Sequence, residues 1–255
     1  MTTLERAIRS RTSAGQGAFV PYVTAGLAGV DAALLRAIES AGADALEIGV
    51  PFSDPVMDGG VIQEASRLAL EGGFRVADAF ALVADAGLQI PVVLMTYLNP
   101  VVAHGESAFI ADAATAGAAG FIVPDLPADE GAWWSAACAE AGLASVFLAA
   151  PGTPESRLAL VAERSSGFVY CVSTYGVTGA RDTLAATGRE LVASLRPVTD
   201  LPLLIGVGVS TPDHAREART FADGVIVGSA LVRRLLAGER DGALADAEAF
   251  RTALD

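Results

Sequence analysis

The chain of 255 residues contains no lysine; all 17 of its basic residues are arginine. A Schiff-base aldolase, an enzyme holding its own pyridoxal cofactor and a Walker A nucleotide site each need a lysine amine, so all three are excluded for this chain by itself. Histidine is nearly as scarce, with only His104 and His214, and cysteine is limited to Cys138 and Cys171. Neither type shows paired spacing, so a metal centre and a disulfide framework are not expected. So few cysteines fit a reducing cytoplasm, which is the expected location. No apolar run approaches the roughly 18 residues of a transmembrane helix, so no membrane is expected as a partner. The opening segment MTTLERAIRSRTS lacks the apolar stretch of a secretory signal and reads as an amphipathic helix. Thirty acidic residues give a formal net charge of −13, which argues against nucleic acid and anionic membranes as partners. The chemistry left runs on carboxylates, hydroxyls, backbone dipoles and arginine.

At 52% apolar the chain is rich enough to bury a sizeable core. Eight short β-rich runs recur: AFVPYVT (18–24), ALEIGV (45–50), PVVLMTY (91–97), GFIVP (120–124), ASVFLA (144–149), GFVYCVS (167–173), PLLIGVG (202–208) and DGVIVG (223–228). They are nearly continuously apolar, as strands covered on both faces are. Helical-period segments separate them at 30–41, 61–70 with 76–84, 107–116, 130–141, 154–163, 184–195 and 211–219, and a last one follows at 243–254. The A-G-A and A-G-L tripeptides near 41–43, 116–119 and 141–143 read as helix ends. Eight strands alternating with helices predict one α/β domain over residues 1–255, a (β/α)8 TIM barrel with an extra N-terminal helix. The competing doubly wound sheet wants a G-x-G-x-x-G turn after its first strand, and TAGLAG lacks that spacing. Forty residues separate Val50 from Pro91 and 28 separate Ser173 from Pro202, which predicts long loops after strands 2 and 6. In a barrel those loops lie on the face where active sites are built.

The densest segment is ALEIGVPFSDPVMDGGVIQEA. Glu47 interrupts an apolar strand, either as a buried acid paired with an arginine brought in by the fold or as a general acid–base with a raised pKa. Asp54 and Asp58 follow in a loop punctuated by proline and glycine, where turn chemistry is the plain reading; Asp58, before Gly59-Gly60, is also a candidate second carboxylate. Glycine-rich turns follow the last three runs, at STYGVTGAR (173–181), GVGVSTP (206–212) and GSA (228–230). Gly208, Ser210, Gly228 and Ser229 stand where barrels commonly hold phosphate on backbone N–H groups and a helix N-terminus, although glycine also serves tight turns. Tyr22, Thr24, Tyr97, Asn99, Asp125 and Tyr170 lie at strand ends, where packing and capping compete with a pocket role. Trp133-Trp134 reads as exterior packing or an interface, and both histidines as solvated.

At these motifs the chain resembles the α subunit of tryptophan synthase. LEIGVPFSDP–MDG–IQ is the most specific piece, and GVTGAR, GVGVS and VGSA follow in order, so the likeness spans nearly the whole chain. The resemblance implies a barrel lyase that cleaves indole-3-glycerol phosphate to indole and glyceraldehyde 3-phosphate in tryptophan biosynthesis. It implies no cofactor in this chain and a pyridoxal-phosphate β subunit as partner, in an α2β2 heterotetramer. By motif position, Glu47 and Asp58 resemble the family's catalytic carboxylates and Tyr170 its active-site tyrosine. Gly179, Gly208, Gly228 and Ser229 resemble its phosphate site, and Tyr22, Tyr97 and Asp125 match pocket or interface-proximal positions. A stand-alone indole-releasing lyase, a non-catalytic sensor of phosphate ligands and a sugar-phosphate isomerase are the other readings. Gly60 stands where the family usually has proline, and Thr174-Tyr175 places a bulky aromatic before GVTG.

Overall fold

The computed structural model describes residues 1–173 and 181–255, with side chains for all of these except 181–185. The first half runs α1 (Thr3–Ser13), β1 (Ala18–Thr24), α2 (Ala32–Ser40), β2 (Leu46–Gly49), α3 (Gly60–Glu71), α4 (Val76–Ala86), β3 (Val92–Met95), α5 (Leu98–His104), α6 (Glu106–Ala116) and β4 (Gly120–Ile122). The second half runs α7 (Ala132–Glu140), β5 (Ala144–Val146), β6 (Leu148–Ala149), α8 (Glu155–Arg164), β7 (Val169–Val172), α9 (Arg181–Leu195), β8 (Leu203–Gly206), α10 (Pro212–Ala218), β9 (Gly224–Val227), α11 (Ser229–Leu236) and α12 (Arg240–Leu254). The sheet order is β5-β4-β3-β2-β1-β9-β8-β7-β6, and every pairing is parallel. Because β5 and β6 are the two halves of one run, the order closes on itself as a (β/α)8 barrel.

The ASVFLA run predicted as one strand is interrupted at Phe147, whose ring is buried in the outer core. There two backbone N–H groups find serine hydroxyls: Ser145 N donates to Ser166 Oγ (2.9 Å) and Phe147 N to Ser165 Oγ (3.3 Å), while the Phe147 carbonyl accepts from Tyr170 N of β7 (3.1 Å). The extra length after strand 2 holds the two helical segments expected at 61–70 and 76–84, here α3 and α4, leaving a loop of residues 50–59. After the sixth predicted strand, now β7, residues 174–180, including Gly179, Thr174 and Tyr175, lie outside the described residues. The short α5 was not anticipated from sequence. The predicted helix ends do carry left-handed glycines, with φ of 98°, 94° and 74° at Gly42, Gly117 and Gly142.

Alternation along the strands divides the core in two. One set, including Phe19, Leu46, Ile48, Leu94, Phe121 and Ile205, packs outward against the helices. The other, including Val20, Val93, Ile122, Val146, Leu204 and Ile226, fills the barrel, and Leu4 and Ile8 of α1 join it, so the N-terminal helix plugs one end. Trp134 is a core residue against Phe121 (ring centroids 5.1 Å apart), while its neighbour Trp133 faces outward. His104 also departs from expectation. It pairs with Asp112 (2.7 Å) and packs edge-on against Phe80 and Phe109, a partner eight residues away that only the α5–α6 corner brings near. Among the described residues no helix is long and apolar enough to cross a membrane.

Below β2, Asp44 is buried and fully engaged. It accepts from Arg11 Nε (2.6 Å), Arg251 Nη1 (2.9 Å) and Phe19 N (2.8 Å), and Arg251 also donates to the Gly17 carbonyl (2.8 Å). This network ties α1, β1 and α12 together on the plugged side. Asp44→Ala takes away the buried counter-charge of Arg251, which keeps the more exposed Asp255 (3.1 Å), and we expect a loss of up to about 3–5 kcal/mol. Urea unfolding checks it, with a lower midpoint at an unchanged slope as the expected result.

Candidate active site

At the open end of the barrel a cavity of about 160 Å³ is lined by Tyr22, Glu47, Met57, Asp58, Gly59, Ile62, Met95, Tyr170, Val207, Gly208, Val209, Ser210, Ile226, Gly228 and Ser229. Strand register explains how distant residues converge. Tyr22 pairs with Glu47 across β1 and β2, and Glu47 with Val93 on β3, so all three point inward at one level. Two glycines make room above them: a side chain at Gly49 would strike the Tyr22 hydroxyl, and one at Gly206 the Tyr170 ring.

Glu47 is 1% exposed, and among the described residues its Oε2 has no hydrogen-bond partner. Among the described side chains no arginine pairs with it, which disfavours the structural reading of a charge-paired acid. Burial, and secondarily the nearby Asp58, push its pKa up to about 8. Asp58 is half-buried at the end of loop 50–59; burial raises it to about 6, against a hydrogen bond from Tyr97 that lowers it. The Tyr97 hydroxyl also accepts from Met57 N (3.1 Å), and its ring lies 5.2 Å from Phe52. Tyr97 therefore braces the loop that carries Asp58 and does not line the cavity itself. The Tyr22 and Tyr170 hydroxyls are both raised by burial first and by the two carboxylates after it, so they stay protonated.

Gly228 is the N-cap of α11 and supplies no side-chain cap, so the first N–H groups of that helix stand free of intrahelical partners beside the cavity. A Cβ placed on Gly228 would sit 3.5 Å from Ile62 and Tyr22, the two walls opposite. None of the described lining residues is an arginine, so among these residues an anion meets backbone dipoles and no cationic side chain. Asp125 does not reach the cavity: its Oδ1 accepts from Leu98 N (2.9 Å) and caps α5. Asp54 is exposed beside Ser53 (2.5 Å), consistent with turn chemistry. Met95, Ile226 and Ile62 were missed in the sequence. For Met95 the signal was present, since it follows the inward Val93 by two positions. Among the described residues no three His, Cys, Asp or Glu side chains converge as metal ligands would.

A family model for the tryptophan synthase alpha chain matches residues 8–253. The chain belongs to that family. The tryptophan synthase alpha chain of Leifsonia xyli subsp. xyli is 46% identical over 93% of this chain and 93% of that protein. The one from Streptomyces avermitilis is 45% identical over 90% of this chain and 84% of that protein. Among solved structures, a chain of Mycobacterium tuberculosis tryptophan synthase superposes with a TM-score of 0.91 at 41% identity, covering 99% of this chain and 98% of that one. Tryptophan synthase subunit alpha from Legionella pneumophila gives 0.89 at 31% identity, covering 100% and 99%. As a tryptophan synthase alpha chain the protein is a lyase-type subunit of tryptophan biosynthesis on a TIM barrel.

A raised carboxyl pKa is also a stability statement. Above about pH 4.5 the unfolded chain releases the Glu47 proton, while the folded chain keeps it until about pH 8. The unfolded state then binds fewer protons, so the stability contributed by this group falls as pH rises through that window. The slope is at most about 1.4 kcal/mol per pH unit. Glu47→Gln should remove this decline, leaving the variant progressively more stable than the wild type towards pH 8. Urea midpoints of both proteins across the window test it, and parallel curves would show that Glu47 is not held neutral.

Proposed function

We propose that this chain cleaves indole-3-glycerol phosphate to indole and glyceraldehyde 3-phosphate in the cytoplasm. The observation that carries the reading is one cavity holding an unpaired buried glutamic acid, a second carboxylate of lower pKa and the free N-terminus of α11. The phosphate would rest on the backbone N–H groups of Gly208, Gly228 and Ser229. Glu47, protonated at neutral pH, gives its proton to indole carbon 3, and Asp58 as carboxylate stabilises the positive charge that develops on the ring N–H. The indoleninium is then the electron sink. The carbon–carbon bond to the glycerol side chain breaks, its electrons restore the indole ring, and the hydroxyl proton of the departing carbon returns to Glu47. One proton leaves the glutamic acid and one comes back, so neither a lysine nor a metal enters the step. Tyr22 and Tyr170 would shape the pocket, with Tyr97 holding loop 50–59 in place.

Glu47→Gln should lower turnover by about 10²–10⁴-fold while the fold survives, because the amide cannot donate the proton. For Asp58→Asn we expect a smaller but large loss, since the amide still accepts from the ring N–H without its charge. In the wild type kcat/KM should fall below about pH 6 as Asp58 is protonated and above about pH 8 as Glu47 loses its acid proton. Because the two carboxyls interact, the limbs belong to the pair. Indole release from purified chain measures all three; a Glu47→Gln variant with most of its activity would sink the assignment.

The product indole would pass to a β subunit, which would carry the pyridoxal phosphate that this chain has no lysine amine to hold. Val56 is 77% exposed and Met57 37% exposed on loop 50–59, which suits coverage by such a partner on the catalytic face. Gly60 bears on that coupling. It is the first residue of α3, its added Cβ would meet nothing within 4 Å, and Gly59 before it is extended at φ −72°, ψ 159°. Both positions suit Gly60→Pro, which restricts the unfolded and open loop by about 0.4–1 kcal/mol. The variant should raise basal indole release or lower the β-subunit concentration needed for full activity. A titration with β subunit reads this, and full wild-type activity with no partner would favour a stand-alone lyase.

A further inference from the structure

Among the described residues, Val207 is the one non-glycine with positive φ, at 61°. A β-branched side chain is poorly suited to that conformation, so the surroundings must impose it. Ser173, fully buried at the end of β7, supplies the constraint. Its hydroxyl faces the carbonyls of Gly206 (3.1 Å) and Val207, its own N–H donates to the Gly206 carbonyl (3.3 Å), and its carbonyl accepts from the Thr187 hydroxyl (2.6 Å). A trans peptide points its carbonyl and its N–H in opposite directions. Drawing the Val207 carbonyl onto Ser173 therefore turns the Gly208 N–H away from β7, to the side on which Gly208 borders the cavity, while Ser173 itself stays outside it.

We propose that Ser173 is a positioning residue for the substrate phosphate: its hydroxyl clamps Val207 in the left-handed conformation and so aims the Gly208 N–H at the anion. This rests on the phosphate reading of Gly208, Gly228 and Ser229 above. Two further consequences follow from the geometry. The clamp acts through the backbone of 206–208 and not on the reacting carbons, so its loss weakens binding more than turnover. It is also needed only while residue 207 resists positive φ, which glycine does not.

Calorimetric titration of glycerol phosphate into the purified chain, with indole-release kinetics alongside, tests the clamp. Ser173→Ala should bind about five- to tenfold more weakly and raise KM by a similar factor, with kcat nearly unchanged. Ser173→Cys, which keeps the volume but donates weakly, should fall between. On a Val207→Gly background the loss caused by Ser173→Ala should shrink to about twofold or less, a coupling that a merely structural serine does not produce. Equal losses in both backgrounds, or wild-type affinity in Ser173→Ala, would overturn the proposal. Gly228→Val separates the two levels of inference. Its side chain fills the space between Ile62 and Tyr22, so binding must weaken if phosphate sits there. Unweakened binding in that variant, or none in the wild type, overturns the phosphate reading and the clamp with it. Weakened binding in Gly228→Val with an unaffected Ser173→Ala overturns the clamp alone.

Discussion

A closed barrel of parallel strands forces every second residue of each strand into an interior with no route to water below the rim, and the rest of the molecule is arranged around that constraint. At most inward positions the side chain is small or aliphatic: Ala18 and Val20 on β1, Val93 on β3, Ile122 on β4, Leu204 on β8. Glu47 departs from them more sharply than the inward tyrosines Tyr22 and Tyr170, because it is a carboxyl. It holds the register position opposite Tyr22 and Val93, so it cannot swing to the helix layer without a one-residue slip that would turn its whole strand inside out. The barrel thus presses a carboxyl into a nearly dry space, and the perturbed proton affinity follows from position before any neighbour is considered.

The neighbours refine that effect. Asp58 arrives from loop 50–59, anchored by Tyr97, and is half-buried where Glu47 is wholly so. Two carboxyls eleven residues apart in the sequence are consequently separated in proton affinity, at about 8 and about 6. At neutral pH one is protonated and the other ionised, with no cationic side chain among the described cavity residues to enforce the difference. Cationic side chains are also absent, among the described residues, at the end of the cavity beside α11 where we propose that the phosphate rests. A cationic side chain there would lower both carboxyl pKa values and return Glu47 towards the ionised form. Backbone N–H groups attract phosphate as partial charges and disturb the acid far less.

Much of this was legible in the sequence because it is local. Each of the eight apolar runs contains a strand or, at 144–149, two strand halves, and Glu47 was visible as a charge inside an apolar run. What was hidden depends on contacts across the chain. The break at Phe147 comes from serines on the following segment, the pairing of His104 with Asp112 from a corner between two helices, and the capping role of Asp125 from a helix 27 residues earlier. Trp134 entered the core and Trp133 did not because adjacent helical positions differ by about 100° around the axis. The role of Tyr97 was hidden for the same reason. A tyrosine at a strand end reads alike whether it lines a cavity or holds the loop above it.

The barrel treats its two buried acids near β2 in opposite ways, and the contrast separates stability from chemistry. Asp44, three residues before Glu47, lies on the end plugged by α1 and is saturated by two arginines and a backbone N–H. With hydrogen bonds reaching α1, β1 and α12 at once, it holds elements together. Glu47 lies at the open end with one oxygen unpartnered among the described residues. An unpaired buried carboxyl is a cost to folding, and it is sustained only because the paired acid, the plugged floor and the two hydrophobic shells supply stability elsewhere. Supplying Glu47 with an arginine would relieve that cost and remove the raised pKa in the same act. The unsatisfied oxygen and the capacity for proton transfer are therefore one property of the site, and the closed end of the barrel is where its cost is offset.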